Sequence, residues 1–180
     1  MKNSINKLDQ MGAVKWDYLK CPLHRYTFSR KPLRNWIEQE CEGKVLNLFA
    51  GKTKLSIDEV RNDLSKDTEA DYHDDALVFL QQWSGAKFNT VILDPPYSYR
   101  KSMELYNGVY CSQFQKIKQE IPNVLATGGK VITLGYHSVV MGRKRGFEIE
   151  KLCLISHGGA IHDTIISVER MYNQLHSETL

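Results

Sequence analysis

Apolar and polar positions along the chain alternate between short buried-type runs and amphipathic stretches. Pro32 to Glu40 places Leu33, Trp36 and Ile37 on one helical face, with Ser29 ahead of it as a possible cap and Gly43 beyond its end. Lys44 to Phe49, with Val45, Leu46, Leu48 and Phe49 apolar, predicts a buried-type strand followed by a tight turn at Ala50-Gly51. A second strand is expected near Asp58 to Arg61, and a helix over His73 to Trp83 on Leu77, Phe79, Leu80 and Trp83. Phe88 to Leu93 is a third apolar run. Ser98 to Ser112 is a polar and aromatic loop. Gln113 to Leu125 has helical spacing at Phe114, Ile117, Ile121 and Leu125, with a kink or break expected at Pro122. After Gly128-Gly129 come a strand at Lys130 to Gly135 and two more at Phe147 to Ser156 and Thr164 to Arg170. The glycine-rich His157 to Asp163 joins that last pair as a hairpin. Strands alternating with helices and closing on a hairpin predict an α/β open sheet, parallel except near one edge.

In such a sheet a ligand sits outside the carboxyl ends of the strands, where the strand order reverses. Two strand ends carry candidate chemistry. One is Asn47-Leu48-Phe49-Ala50-Gly51; the other is Asp94-Pro95-Pro96-Tyr97. Paired prolines cannot donate to a ladder and hold their predecessors extended, so the third strand must end there. The Asp94 carboxylate and the Pro95 carbonyl then form a pair of acceptors with an aromatic ring just beyond, an arrangement suited to a planar amino group on a flat ring.

Composition bounds what such a site can serve. With 180 residues, 42% hydrophobic and 25% charged, one globular domain is expected. No apolar run approaches the ~18 residues needed to cross a bilayer, and Met1 to Gln10 is polar, so a cytoplasmic protein without membrane contact is expected. Cys21, Cys41, Cys111 and Cys153 are scattered as reduced structural thiols; Cys21 and His24 form only half a metal motif, and no metal is expected. Gly51-Lys52-Thr53 is not a phosphate loop, because Leu46 stands where its first glycine belongs. Net charge is +3, but residues 1–34 hold eight basic side chains against two acidic ones, and residues 56–75 hold eight acidic against two basic. A basic flank can attract phosphate backbones; an acidic stretch can receive a cationic, hydroxyl-rich ligand.

Asp94 to Tyr97 resembles the Asp-Pro-Pro-Tyr signature of S-adenosylmethionine-dependent amino-methyltransferases that act on nucleic-acid bases. The order of elements over residues 26 to 170 is similar to theirs. The resemblance implies a class I Rossmann-like fold, with a mostly parallel seven-stranded sheet, helices on both faces and a C-terminal antiparallel hairpin. It divides the chain into a basic leader, 1–25, and one methyltransferase domain, 26–180, without a separate target-recognition domain. It implies S-adenosylmethionine as cofactor, with Phe49, Ala50 and Gly51 at its methionine part, Asp63 at the ribose, Asp75-Ala76 at the adenine (Asp71 and Asp74 as near alternatives), and Tyr26 in a segment lying over it. Asp94 belongs to both the cofactor and the catalytic set, the latter with Pro95, Pro96 and Tyr97. Two positions depart from the family's pattern: Asn47 replaces an acid and Thr53 a glycine.

The implied reaction is methylation of an exocyclic base amine, on the pattern of N6 of adenine in DNA, with low sequence specificity or specificity lent by a protein partner. RNA methylation on adenine or the guanine 2-amino group is the main alternative, and a non-catalytic scaffold comes from another class. Arg100, Lys101 and the Arg143-Lys144-Arg145 turn are the candidate nucleic-acid contacts, together with the basic leader and the 157–163 hairpin. His137, His157 and His162 could line the cleft or satisfy turn backbones.

Overall fold

The computed structural model describes residues 13–95, 114–159 and 162–172. Seven strands form one sheet: β1 (Lys15–Lys20), β2 (Val45–Asn47), β3 (Glu59–Arg61), β4 (Phe88–Leu93), β5 (Leu125–Gly135), β6 (Phe147–Ser156) and β7 (Thr164–Met171). Their order is β1-β6-β7-β5-β4-β2-β3, and β7 alone runs against its neighbours. Three α-helices are described: α1 (Lys31–Glu40), α2 (Ala76–Gln82) and α3 (Phe114–Val124).

Helices cover both faces of the central strands, which is why β4 is buried at every position but Asn89 instead of alternating. On one face Leu33, Trp36 and Ile37 of α1 pack against Val45, Ile92, Ile132, Leu134, Cys153, Ile155, Ile166 and Val168. On the other, Ala76, Phe79 and Leu80 of α2 and Ile117, Ile121 and Val124 of α3 pack against Leu46, Val91, Leu93, Val131 and Phe147.

The chain leaves β2 for β3 on one side and then returns to place β4 on the other side of β2. That reversal makes the carboxyl ends of β2 and β4 the switch point of the sheet. Asn47 is level with Ile92, and the Leu48 amide donates to the Ile92 carbonyl at 3.2 Å, so the glycine turn and Asp94 emerge side by side.

Several elements differ from the sequence expectation. Lys15 to Lys20, expected as part of a leader, is a sheet strand in parallel register with β6. Ser29 does not cap α1; it ends a 3-10 turn, Thr27–Ser29, and Arg30 holds the cap position without a side-chain bond. α2 starts at Ala76 and not His73, because the Asp75 carboxylate accepts from the Leu77 and Val78 amides and caps the helix there. α3 runs past Pro122 only to Val124, and β5 begins at once. β5 starts five residues earlier than expected because Leu125 pairs with Phe88 and Lys130 with Thr90, leaving residues 126–129 as a bulge. Gly128 turns that bulge at φ +72°. The loop expected over residues 98–112 falls outside the described residues.

The bulge is tied to the end of α1 by charge. Arg170 donates to the Gly128 carbonyl at 2.8 Å and pairs with Glu42 at 3.0 Å, while Lys130 reaches Glu42 at 2.8 Å. The Arg170 guanidinium, and secondarily the Lys130 ammonium, hold the Glu42 carboxyl down at about 2. A carboxyl depressed on folding stabilises the protein above its unfolded pKa and loses that contribution as pH falls through the folded value. Thermal melts of the wild type and Glu42→Gln are therefore expected to differ at pH 6 and to converge between about pH 4.5 and pH 2; a constant gap across that window would refute the pairing.

Candidate active site at the carboxyl edge of the sheet

A cavity of about 760 Å³ opens at the carboxyl ends of β2, β4, β5 and β6, within the ~300–1,000 Å³ typical of ligand clefts. Phe49, Ala50, Gly51, Lys52 and Thr53 form one wall, Asp94 and Pro95 the next, and Gly135 and Tyr136 continue it. Asp63, Ser65, Asp67 and Thr68 close the side beyond β3, and Cys21 to Phe28 cross the front.

The glycine turn is clamped from β3. The Gly51 amide donates to Asp63 Oδ2 at 2.8 Å, and the Gly51 carbonyl accepts from Arg61 Nη2 at 2.9 Å. Asp63 is 2% exposed, and its other oxygen accepts from the Ser65 amide at 2.9 Å. Arg61, equally buried, also donates to the Glu69 carbonyl and lies 3.4 Å from Glu59 Oε1. Glu59 in turn accepts from Asn47 Nδ2 at 3.0 Å and the Leu55 amide at 2.8 Å. This explains the departure at position 47: an acid there would face the Glu59 carboxylate at hydrogen-bond distance, whereas the amide donates to it. The other departure is also used, since Thr53 Oγ1 lies 3.1 Å from Ser29 Oγ and joins the glycine turn to the segment ahead of α1.

The front wall is held to the sheet by a histidine. His157 Nδ1 lies 2.7 Å from the Cys21 carbonyl and Nε2 2.8 Å from Thr164 Oγ1, so the ring bridges the end of β1 to the start of β7. Tyr26 stands beyond it with Arg25 at 5.7 Å and Lys52 at 6.0 Å from its ring centre. His162 also lines the cavity; His137 is exposed outside it.

Seven residues of the cofactor and catalytic sets read from sequence therefore meet in one cavity: Tyr26, Phe49, Ala50, Gly51, Asp63, Asp94 and Pro95. Three described members of those sets do not line it. Asn47 is fully buried on Glu59, Asp75 caps α2, and Ala76 is in the core. The alternatives to Asp75 are placed nearby: the Asp71 carboxylate accepts from the Arg61 amide at 2.8 Å, and Asp74 is exposed. Pro96, Tyr97, Arg100 and Lys101 lie outside the described residues.

Arg143, Lys144 and Arg145 sit at the amino end of β6, the opposite edge of the sheet, roughly 26 Å from the cavity at ~3.3 Å per strand residue. Arg143 pairs with Glu148 at 3.7 Å, and Arg145 donates to the Met141 carbonyl and to Gln115. This turn is not a wall of the cavity. Arg61, which grips the glycine turn, was not singled out from sequence; Glu59-Val60-Arg61 gives no local sign that its cation is buried.

Gly51 has φ +57°, and a Cβ built on it meets nothing within 4 Å, so its side faces open cavity space. Gly51→Ala is expected to cost about 1 kcal/mol from the left-handed backbone alone, without a clash. A thermal melt checks this, and a loss several times larger would mean that the turn is packed against protein.

The sheet and its flanking helices define a Rossmann-like methyltransferase fold. No protein-family model matches the sequence, and no curated protein matches it. Among solved structures, the chain is similar to the N-methyltransferase NodS of Bradyrhizobium japonicum, with a TM-score of 0.51 at 12% identity over 78% of this chain and 92% of that one. A putative methylase of Haemophilus influenzae gives 0.51 at 14% identity, covering 85% and 92%. A putative rRNA-methylase of Clostridium thermocellum gives 0.50 at 8% identity, covering 83% and 100%. NodS has also been solved in complex with S-adenosyl-L-homocysteine.

Proposed function

We propose that this chain is an S-adenosylmethionine-dependent methyltransferase that modifies an exocyclic amine of a nucleic-acid base, N6 of adenine in DNA being the leading substrate. The observation that carries this reading is the placement of Asp94-Pro95 beside the clamped glycine turn on one cavity. The residues suit the cofactor. Gly51 leaves open space for an approaching ligand, and Asp67, Ser65 and Thr68 offer acceptors and hydroxyls to a polyhydroxylated, cationic molecule. When bound, S-adenosylmethionine supplies an electrophilic methyl group.

The protein's part is alignment. An exocyclic amine conjugated to its ring is a poor nucleophile. Hydrogen bonds from its two protons to the Asp94 carboxylate and the Pro95 carbonyl favour the tetrahedral nitrogen that can attack in line. Near-attack positioning and fixed dipoles then supply most of the acceleration. Tyr97, by its place in the motif, would stack on the base. The Asp63 and Arg61 pair keeps the opposite wall from shifting as a ligand enters.

RNA is the second reading, favoured by the structural likeness to a chain named as a putative rRNA-methylase. A tritiated-methyl transfer assay on duplex DNA, single-stranded DNA, bulk RNA and protein decides between them. Label in DNA is the expected result. Label in RNA alone would move the substrate to RNA, and S-adenosylhomocysteine binding without transfer to any of the four would leave a scaffold.

A further inference from the structure

β1 is an edge strand whose two faces differ in kind. Asp17 and Leu19 point toward α1, where Asp17 accepts from Trp36 Nε1 at 2.7 Å and lies 3.5 Å from Lys151. Trp16, Tyr18 and Lys20 take the other face by alternation. Trp16 is 67% exposed and Tyr18 57%, far above the other aromatic residues of the sheet strands. They stand about 6.6 Å apart along the strand.

Their neighbours continue the face inward, half-buried at Leu154 and Ile165 and buried at Leu152 and Gly135. Trp16 is in register with Leu152; Tyr18 is in register with Leu154, which pairs with Ile165, which pairs with Gly135 on the cavity wall. Leu152, Leu154 and Ile165 belong to neither of the cores beneath α1, α2 and α3. An apolar row thus runs from the exposed Trp16 and Tyr18 through the half-buried Leu154 and Ile165 to the cavity wall, and Lys20 leads straight into Cys21 to Phe28 at its front.

Resting on the cavity's assignment as a base-modifying site, we infer that this face of β1 is a track for single-stranded nucleic acid, with bases stacked on Trp16 and Tyr18 and the backbone guided by Lys20 toward the cavity. Charge selects this occupant over an apolar protein surface. On β1 and β6 the face presents the exposed Trp16, Tyr18 and Lys20 and the half-buried Leu154 and Ser156 around a buried Leu152, with no carboxylate among them, and the strand's one acid is held on the reverse side by Trp36 and Lys151. Arg25 and Arg30 continue the positive charge along the cavity front. Exposed aromatic rings interleaved with lysine are the elements of sequence-tolerant single-strand binding.

The test compares the full-length wild type with the double variant Trp16→Ala/Tyr18→Ala, using an adenine-containing single-stranded DNA dodecamer and a trimer of the same bases. The variant is expected to raise Kd and KM for the dodecamer by about tenfold or more while kcat and S-adenosylhomocysteine affinity hold, and the gap is expected to close on the trimer. The salt slope should survive this change and fall by about 0.7 in Lys20→Ala. If the wild type methylates both oligonucleotides and the double variant is indistinguishable from it, the track is overturned and the site reading stands. If the wild type binds S-adenosylhomocysteine but neither binds nor methylates either oligonucleotide, both fall. If sedimentation shows a wild-type dimer that the double variant dissolves with dodecamer binding unchanged, the face is an interface between copies and the track is overturned.

Discussion

Asp94→Ala is expected to lower kcat by about 10²–10³-fold while the protein still melts as the wild type and binds S-adenosylhomocysteine. The reason lies in where the residue stands. Asp94 follows the last residue of β4 and is half-buried on the cavity wall, with the buried Pro95 directly after it. Removing the carboxylate takes away one of two acceptors aimed at the amine, and losing one preorganised electrostatic partner costs catalysis on that order. Asp94→Asn keeps an acceptor oxygen and should fall between the two. Single-turnover transfer of a tritiated methyl group, with calorimetry for S-adenosylhomocysteine, measures both quantities. Full turnover in Asp94→Ala would remove the residue from the mechanism.

Arg61→Met should cost stability on a scale that few single changes reach. The methionine matches the stem in length but leaves the Glu59 side chain, with no exposed surface, facing no cation. It also strips donors from the Gly51 and Glu69 carbonyls. Breaking a buried pair from one side costs about 3–5 kcal/mol. For a chain of this length that corresponds to a drop in melting temperature of roughly 6–20 °C. Adding Glu59→Gln to Arg61→Met should recover part of the loss, since the uncompensated charge is then gone. A double variant whose loss equals the sum of the two singles would show that Arg61 acts through its carbonyl contacts alone.

These two residues illustrate what could be read before the fold was known. Asp94 was legible because proline chemistry is local: Pro95 and Pro96 end a strand wherever it lies, and the residue before them is at its carboxyl edge. Gly51 was legible for the same reason, as the residue that permits a tight turn after an apolar run. The Asp63 acid could be placed after β3 but not its partner, since the bond to the Gly51 amide exists only through the register of β2 against β3. Arg61 was overlooked because a charged side chain in a strand carries no local sign of being buried.

β1 was missed for a related reason. Lys15-Trp16-Asp17-Tyr18-Leu19-Lys20 alternates faces, but both are rich in charge or exposed aromatics, and its partner β6 begins more than a hundred residues later. The charge of Arg143 to Arg145 was equally visible, whereas its position at the far edge of the sheet depended on the direction in which β6 runs.

By itself the sequence determined the types of the described elements from α1 onward, the α/β class, the two strand ends that carry the candidate chemistry and the sign of charge along the chain. All of these follow from backbone limits, periodicity and side-chain identity within a few residues. The tertiary structure alone decided that β2 and β4 are neighbours, that Arg61 and Asp63 grip Gly51, and that the basic turn faces away from the cavity. Strand order and register join positions distant along the chain, and that free energy belongs to the assembled sheet rather than to any segment of it.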